Sequence, residues 1–82
     1  MTAKGAWVLA ARQQEAFKRL KEFLSRALDT EDDAVLERVA RAYVAHKLVK
    51  LDPHSGQFNA KHGALLDAEV VRTFERNTRE VG

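Results

Sequence analysis

Eighty-two residues without cysteine carry 14 Lys and Arg against 12 Asp and Glu, a formal charge of +2. That length bounds the chain to one small domain, and the missing cysteines exclude a disulfide framework and a thiolate zinc site. A charge so near balance argues no nucleic-acid footprint from totals alone, although residues 38–82 hold eight basic side chains, five acidic ones and all three histidines.

The opening stretch, residues 1–12, has a short apolar run but lacks the length and the small-residue cleavage site of a secretory leader. No segment approaches the ~18 consecutive apolar residues of a membrane span. The expected compartment is the cytoplasm, and no membrane partner is expected.

The first helix is expected from about Ala3 to Leu28. Ala16, Phe17, Leu20, Phe23, Leu24, Ala27 and Leu28 recur at the three-four spacing of an amphipathic helix. Glu15–Arg19, Lys18–Glu22 and Glu22–Arg26 are oppositely charged one turn apart and should support its solvent face. A helix of that span would run ~39 Å. The radius of gyration expected for the chain is ~12 Å, so such a helix would overhang its own domain. The overhang would carry Trp7, Val8 and Leu9, consecutive apolar residues that cannot share one stripe. A tryptophan there is a natural interface anchor, which makes these three the candidate partner-binding residues.

The run Asp29-Thr30-Glu31-Asp32-Asp33 breaks the pattern. Thr30 with Asp33 resembles a capping box, and the acidic cluster suits the positive end of the next helix dipole. That second helix is expected from Glu31 to Leu48, with Val35, Leu36, Val39, Ala40, Tyr43 and Val44 inward. The short connection favours an antiparallel helix pair.

Asp52-Pro53 ends helical geometry, and Pro53-His54-Ser55-Gly56 reads as a turn: proline presets φ and glycine supplies a positive one. Gln57 to Lys61 then alternates, with Phe58 and Ala60 on one side. Lys47 to Asp52 can extend helix two or begin a strand; as a strand it makes the pattern over 47–61 a β-hairpin, the expected arrangement. Gly63 releases the chain into a third helix, from about Ala64 or Ala68 to Arg79, with Asp67 as candidate N-cap. Leu66, Val70, Val71, Phe74 and Thr78 form its apolar stripe, and Glu75–Arg79 and Arg76–Glu80 are its attractive pairs. The fold class is mostly α within α+β: a long helix hairpin, a small β-hairpin and a C-terminal helix, in the order α-α-β-β-α. The expected core is Phe17, Leu20, Phe23, Leu24, Leu28, Val35, Leu36, Val39, Tyr43, Leu51, Phe58, Leu66, Val70 and Phe74.

Catalytic signatures are weak. His46, His54 and His62 stand eight residues apart, but the expected chain breaks between them, and a metal site would need Asp52, Asp67 or Glu69 to converge with them. Ser55 beside His54 fits turn chemistry better than nucleophilic catalysis, since it lies in no Gly-x-Ser-x-Gly elbow. There is no glycine-rich phosphate loop. No catalytic, cofactor-binding or metal residue is assigned, and no cofactor is expected.

Residues 43–67 do show one family pattern. Tyr43-x-x-x-Lys47, then Leu51-Asp52-Pro53, Phe58 and Gly63-Ala64-x-Leu66-Asp67 resembles a stretch near the end of malonyl-CoA decarboxylases. In those enzymes a helix leads through a Leu-Asp-Pro turn into a Phe-containing strand and an Asn-Gly-Ala-x-Leu-Glu loop. Here the turn is one residue longer, His62 replaces the Asn, and Asn59 falls where the family has His. The resemblance implies a similar helix–turn–strand piece. The family's catalytic His and Ser lie upstream of it and have no counterpart in this chain, so decarboxylase activity does not carry over. An acyl-CoA-related activity is the one exception to a non-enzymatic reading.

Two functions follow from the residues. The first is a non-catalytic interaction module, a small subunit, adaptor or regulator that dimerises or docks through its N-terminal helix, with a protein or a second copy of the chain as partner. The alternative is a small winged-helix-like regulator that binds DNA or RNA through the basic second half, with Arg38, Arg41, Lys47, Lys50, His54 and Lys61 as contacts. Against it, only two helices precede the hairpin where a winged helix has three. The second of them also begins Glu31-Asp32-Asp33, which phosphate would repel.

Overall fold

The computed structural model describes residues 9–81, with side chains through residue 79. The chain runs α1 (Ala11–Leu28), α2 (Asp33–Ala45), β1 (Val49–Leu51), β2 (Phe58–Ala60), a short 3-10 turn (Gly63–Leu66) and α3 (Ala68–Val81). This is the expected α-α-β-β-α order, a mostly helical small α+β fold. Among the described residues no helix is long and apolar enough to cross a membrane.

The first helix is shorter than its periodicity suggested. Residues 9 and 10 are not helical, and α1 has 18 residues. Two glutamines set its start. The Gln13 side-chain oxygen accepts from the Ala10 N–H at 3.1 Å, and Gln14 Nε2 donates to the Leu9 carbonyl at 3.0 Å. These bonds satisfy backbone groups that a longer helix would have used internally. An α1 of ~27 Å fits within principal extents of 32 × 30 × 22 Å, so its described length does not overhang the domain.

The second helix is also trimmed at both ends. Its N-cap is Asp32, whose carboxylate accepts from the Ala34 N–H, while Thr30 Oγ1 accepts from the Asp32 N–H. The expected Thr30–Asp33 box does not form, because Asp33 reaches across to Lys21 Nζ at 2.8 Å. At the other end Lys47 takes a left-handed φ of 60°, and the Leu48 N–H donates to the Tyr43 carbonyl. That closure turns the chain out of the helix and into β1.

The hairpin is antiparallel, with Val49 opposite Ala60, Lys50 opposite Asn59 and Leu51 opposite Phe58. Its loop is organised by Asp52, whose carboxylate accepts from the His54 N–H at 2.8 Å and the Ser55 hydroxyl at 2.9 Å. Gly56 has φ 73°, and a Cβ there would lie 2.8 Å from Glu15 Oε1. Glycine is required there by the left-handed turn; the Glu15 carboxylate is the end of an exposed side chain and can move aside. Gln13 adds a tie from α1 to the Leu51 carbonyl at 3.2 Å.

One core joins the three helices and β1: Ala16, Phe17, Leu20, Leu24, Leu36, Val39, Ala40, Tyr43, Val49, Leu51 and Val71. Phe23, Leu28, Val35, Phe58, Leu66 and Phe74 pack at its margin. Val70 was expected inside but is 37% exposed, whereas its neighbour Val71 is fully buried. Neighbours on a helix point about 100° apart; here Val71, Phe74, Glu75 and Thr78 take the inward stripe, and Val70 is left on the outer flank.

Candidate interaction surfaces

The exposed crest of α1 stands beside an open hollow of about 700 Å³, lined by Leu9, Phe17, Lys18, Lys21, Glu22 and Leu36 among others. Phe17 and Leu36, both buried, form its floor. Lys21 spans it, with its ammonium 5.6 Å from the Phe17 ring centroid and bonded to Asp33. The i,i+4 pairs expected along α1 are not formed. Arg12 pairs with Glu15 instead, while Lys18 and Glu22 remain exposed with no ion-pair partner among the described residues. Of the candidate partner-binding residues, Trp7 and Val8 lie outside the described residues. Leu9 is half-buried against the core at the lip of this hollow.

A second hollow, about 710 Å³, opens between α2, β1 and the start of α1. Lys47, Lys50 and His54 line it together with Leu9, Val44 and Asp52. Three of the six candidate nucleic-acid contacts are thus brought to one place. Lys61 is exposed beyond β2 and does not line it. The other two are drawn into ion pairs: Arg38 with Glu75 at 2.9 Å, and Arg41 with Glu37 at 3.0 Å. Asp52 adds one negative charge at this surface. Hydrogen bonds from the His54 N–H and then the Ser55 hydroxyl hold its carboxyl below the usual value.

Compared with family models, curated proteins and solved structures, the chain finds no match. Its chemistry has to be read from its own residues. Ser55 is committed to the turn, donating to Asp52 and accepting from the Gln57 N–H. His46 packs edge-on against Phe74, with ring centroids 6.2 Å apart. Among the described residues no three His, Asp or Glu side chains gather to hold a metal ion.

One site escaped the sequence reading. Glu75 is 7% exposed, the one charged residue buried with the core among those described. Both its oxygens are used: Arg79 Nε and Nη2 donate at 2.7 Å each, and Arg38 Nη2 donates at 2.9 Å to the oxygen that also takes Arg79 Nε. Arg38 Nε is further held by Thr78 Oγ1. The Arg79 hydrogen bonds hold the Glu75 carboxyl below its ordinary value, overcoming the opposing effect of burial, and the charges of Arg79 and Arg38 add to this. Spacing could have flagged it, since Glu75 falls four residues after Val71 in the inward stripe.

Proposed function

We propose that this chain is a non-catalytic interaction module, a small subunit, adaptor or regulator that pairs with a second copy of itself through the outward face of α1. The observation that carries the reading is Lys18 and Glu22. They stand one helical turn apart on the exposed crest beside the hollow and do not pair with each other. An antiparallel second α1 sets Lys18 against Glu22 of the second copy and Glu22 against its Lys18, so the arrangement is self-complementary, as a two-fold interface requires. Phe17, the Lys21 stem and Leu36 supply the apolar floor beneath. Concentration-dependent light scattering or sedimentation tests it. Lys18→Glu sets like charges together twice per dimer and should weaken association by about tenfold or more. Adding Glu22→Lys to that variant should restore the dimer. A wild-type protein that stays monomeric at every concentration, or a double variant no better than the single one, overturns the reading.

The gathering of Lys47, Lys50 and His54 favours a second reading, a duplex-binding hairpin wing. With two cationic contacts, Lys47 and Lys50, the logarithm of affinity should fall against the logarithm of salt with a slope of about −2, and Lys47→Ala with Lys50→Ala should flatten it. A binding signal indifferent to salt removes this reading.

A further inference from the structure

On α3, Arg72, Arg76 and Arg79 follow one another at i, i+4 and i+7. That spacing puts all three on one flank over about 10 Å of helix. The flank borders a groove of about 410 Å³ between α3 and the α1–α2 corner, lined by Leu28, Thr30, Val35, Arg38 and Glu75 as well as these arginines. Four guanidinium groups thus meet one described carboxylate. Glu75 is fully occupied by Arg38 and Arg79, and because both donate to the same oxygen their guanidinium groups are held side by side. Their side chains are still 38% and 61% exposed, so each presents donors to the groove. Arg72 and Arg76 have no ion pair among the described residues, and the Glu80 side chain lies outside them. Clustered like charge costs free energy until an anion covers it, and a guanidinium recognises a carboxylate through two parallel hydrogen bonds.

We propose that this groove docks an acidic segment of a partner protein, with carboxylates on Arg72 and Arg76 and an apolar side chain seated on Leu28 and Val35. One observation favours a peptide over a nucleic acid. The floor is apolar at Leu28 and Val35, which a phosphodiester chain would leave unused. The surface is separate from the α1 crest, so this inference stands or falls independently of the dimer.

The test is fluorescence anisotropy at low salt, using a short helical peptide of Glu, Leu and Ala with glutamates at i, i+4 and i+7 around one leucine. Its counterpart with Gln for Glu is the control, and unlabelled duplex DNA is the competitor. The Glu peptide should bind at least about tenfold more tightly than the Gln peptide. Arg72→Gln with Arg76→Gln should reduce it to the Gln level while circular dichroism and the thermal midpoint hold, since neither arginine satisfies a buried carboxylate. Equal binding of the two peptides, affinity unchanged by the double substitution, or displacement of the peptide by duplex DNA would each overturn the proposal.

Discussion

Tyr43→Ala should strip about 4 kcal/mol from the stability of the fold. Tyr43 is fully buried where α2, α3 and the 3-10 turn meet. Its ring lies edge-on to Phe74 with centroids 4.4 Å apart, and its hydroxyl donates to the Leu65 carbonyl at 2.7 Å. Truncating a buried aromatic to alanine costs about 4 kcal/mol. Total stability for a chain of this length is roughly 4–12 kcal/mol, so the loss takes a third of the margin or all of it. Tyr43→Phe separates the parts: it keeps the ring and removes the hydroxyl, for a cost of about 1 kcal/mol. A second signature follows from burial, which raises the phenol pKa. The folded state favours the neutral phenol, so this contribution is fully present below about pH 10. It is lost as pH rises through the raised folded value. Urea titrations at neutral and alkaline pH should show Tyr43→Phe free of that alkaline decline. A Tyr43→Ala protein as resistant to urea as wild type would contradict this account of the core.

Glu75→Gln should produce the largest change in acid behaviour. The carboxylate joins Arg38 of α2 to Arg79 of α3 from a nearly buried position. An amide there retains one acceptor and points a donor at a cation, for a loss of about 2 kcal/mol at neutral pH. The folded carboxyl titrates below its unfolded value. Its contribution is therefore present above about pH 4.3, the unfolded value, and disappears as pH falls through the lowered folded one. The difference between wild type and Glu75→Gln should hold from neutrality to about that pH and then shrink toward zero. Taking the difference cancels Asp52, whose carboxyl is also lowered but is unchanged between the two proteins. A gap that persists unchanged into strong acid would mean that the charge of Glu75 is not what holds the two helices.

Much of the scaffold is legible in one dimension because its signals are local. Leu28 ends α1 where the acidic run begins, Asp52-Pro53 opens the hairpin loop, Gly56 supplies the left-handed residue, and Phe58 and Ala60 alternate onto the core. The start of α1 was hidden because apolar Trp7, Val8 and Leu9 continue a helix-compatible composition. What ends the helix is a pair of glutamine side chains folding back on the backbone, and glutamine is otherwise an ordinary helix former. The N-cap of α2 was ambiguous because Thr30, Asp32 and Asp33 are all capping residues, and Lys21, 12 residues away, decides which is free to cap. Arg38 read as a surface cation because its partner is 37 residues downstream. A stripe search ranks Glu75 as polar and passes over it, although its position is inward.

The Glu75 contact also sets how far along its own axis α3 can lie against α2. A slide of one turn in one direction would bring Val71 to Arg38 and leave a half-buried guanidinium without an acceptor. A slide in the other would bring Arg79 there and set two cations together. Apolar packing opposes the same offsets, because a one-turn slide would replace Phe74 beside Tyr43 by the much smaller Val70 or Thr78. The carboxylate therefore acts as a notch that adds to the aromatic contact in making the offset unique.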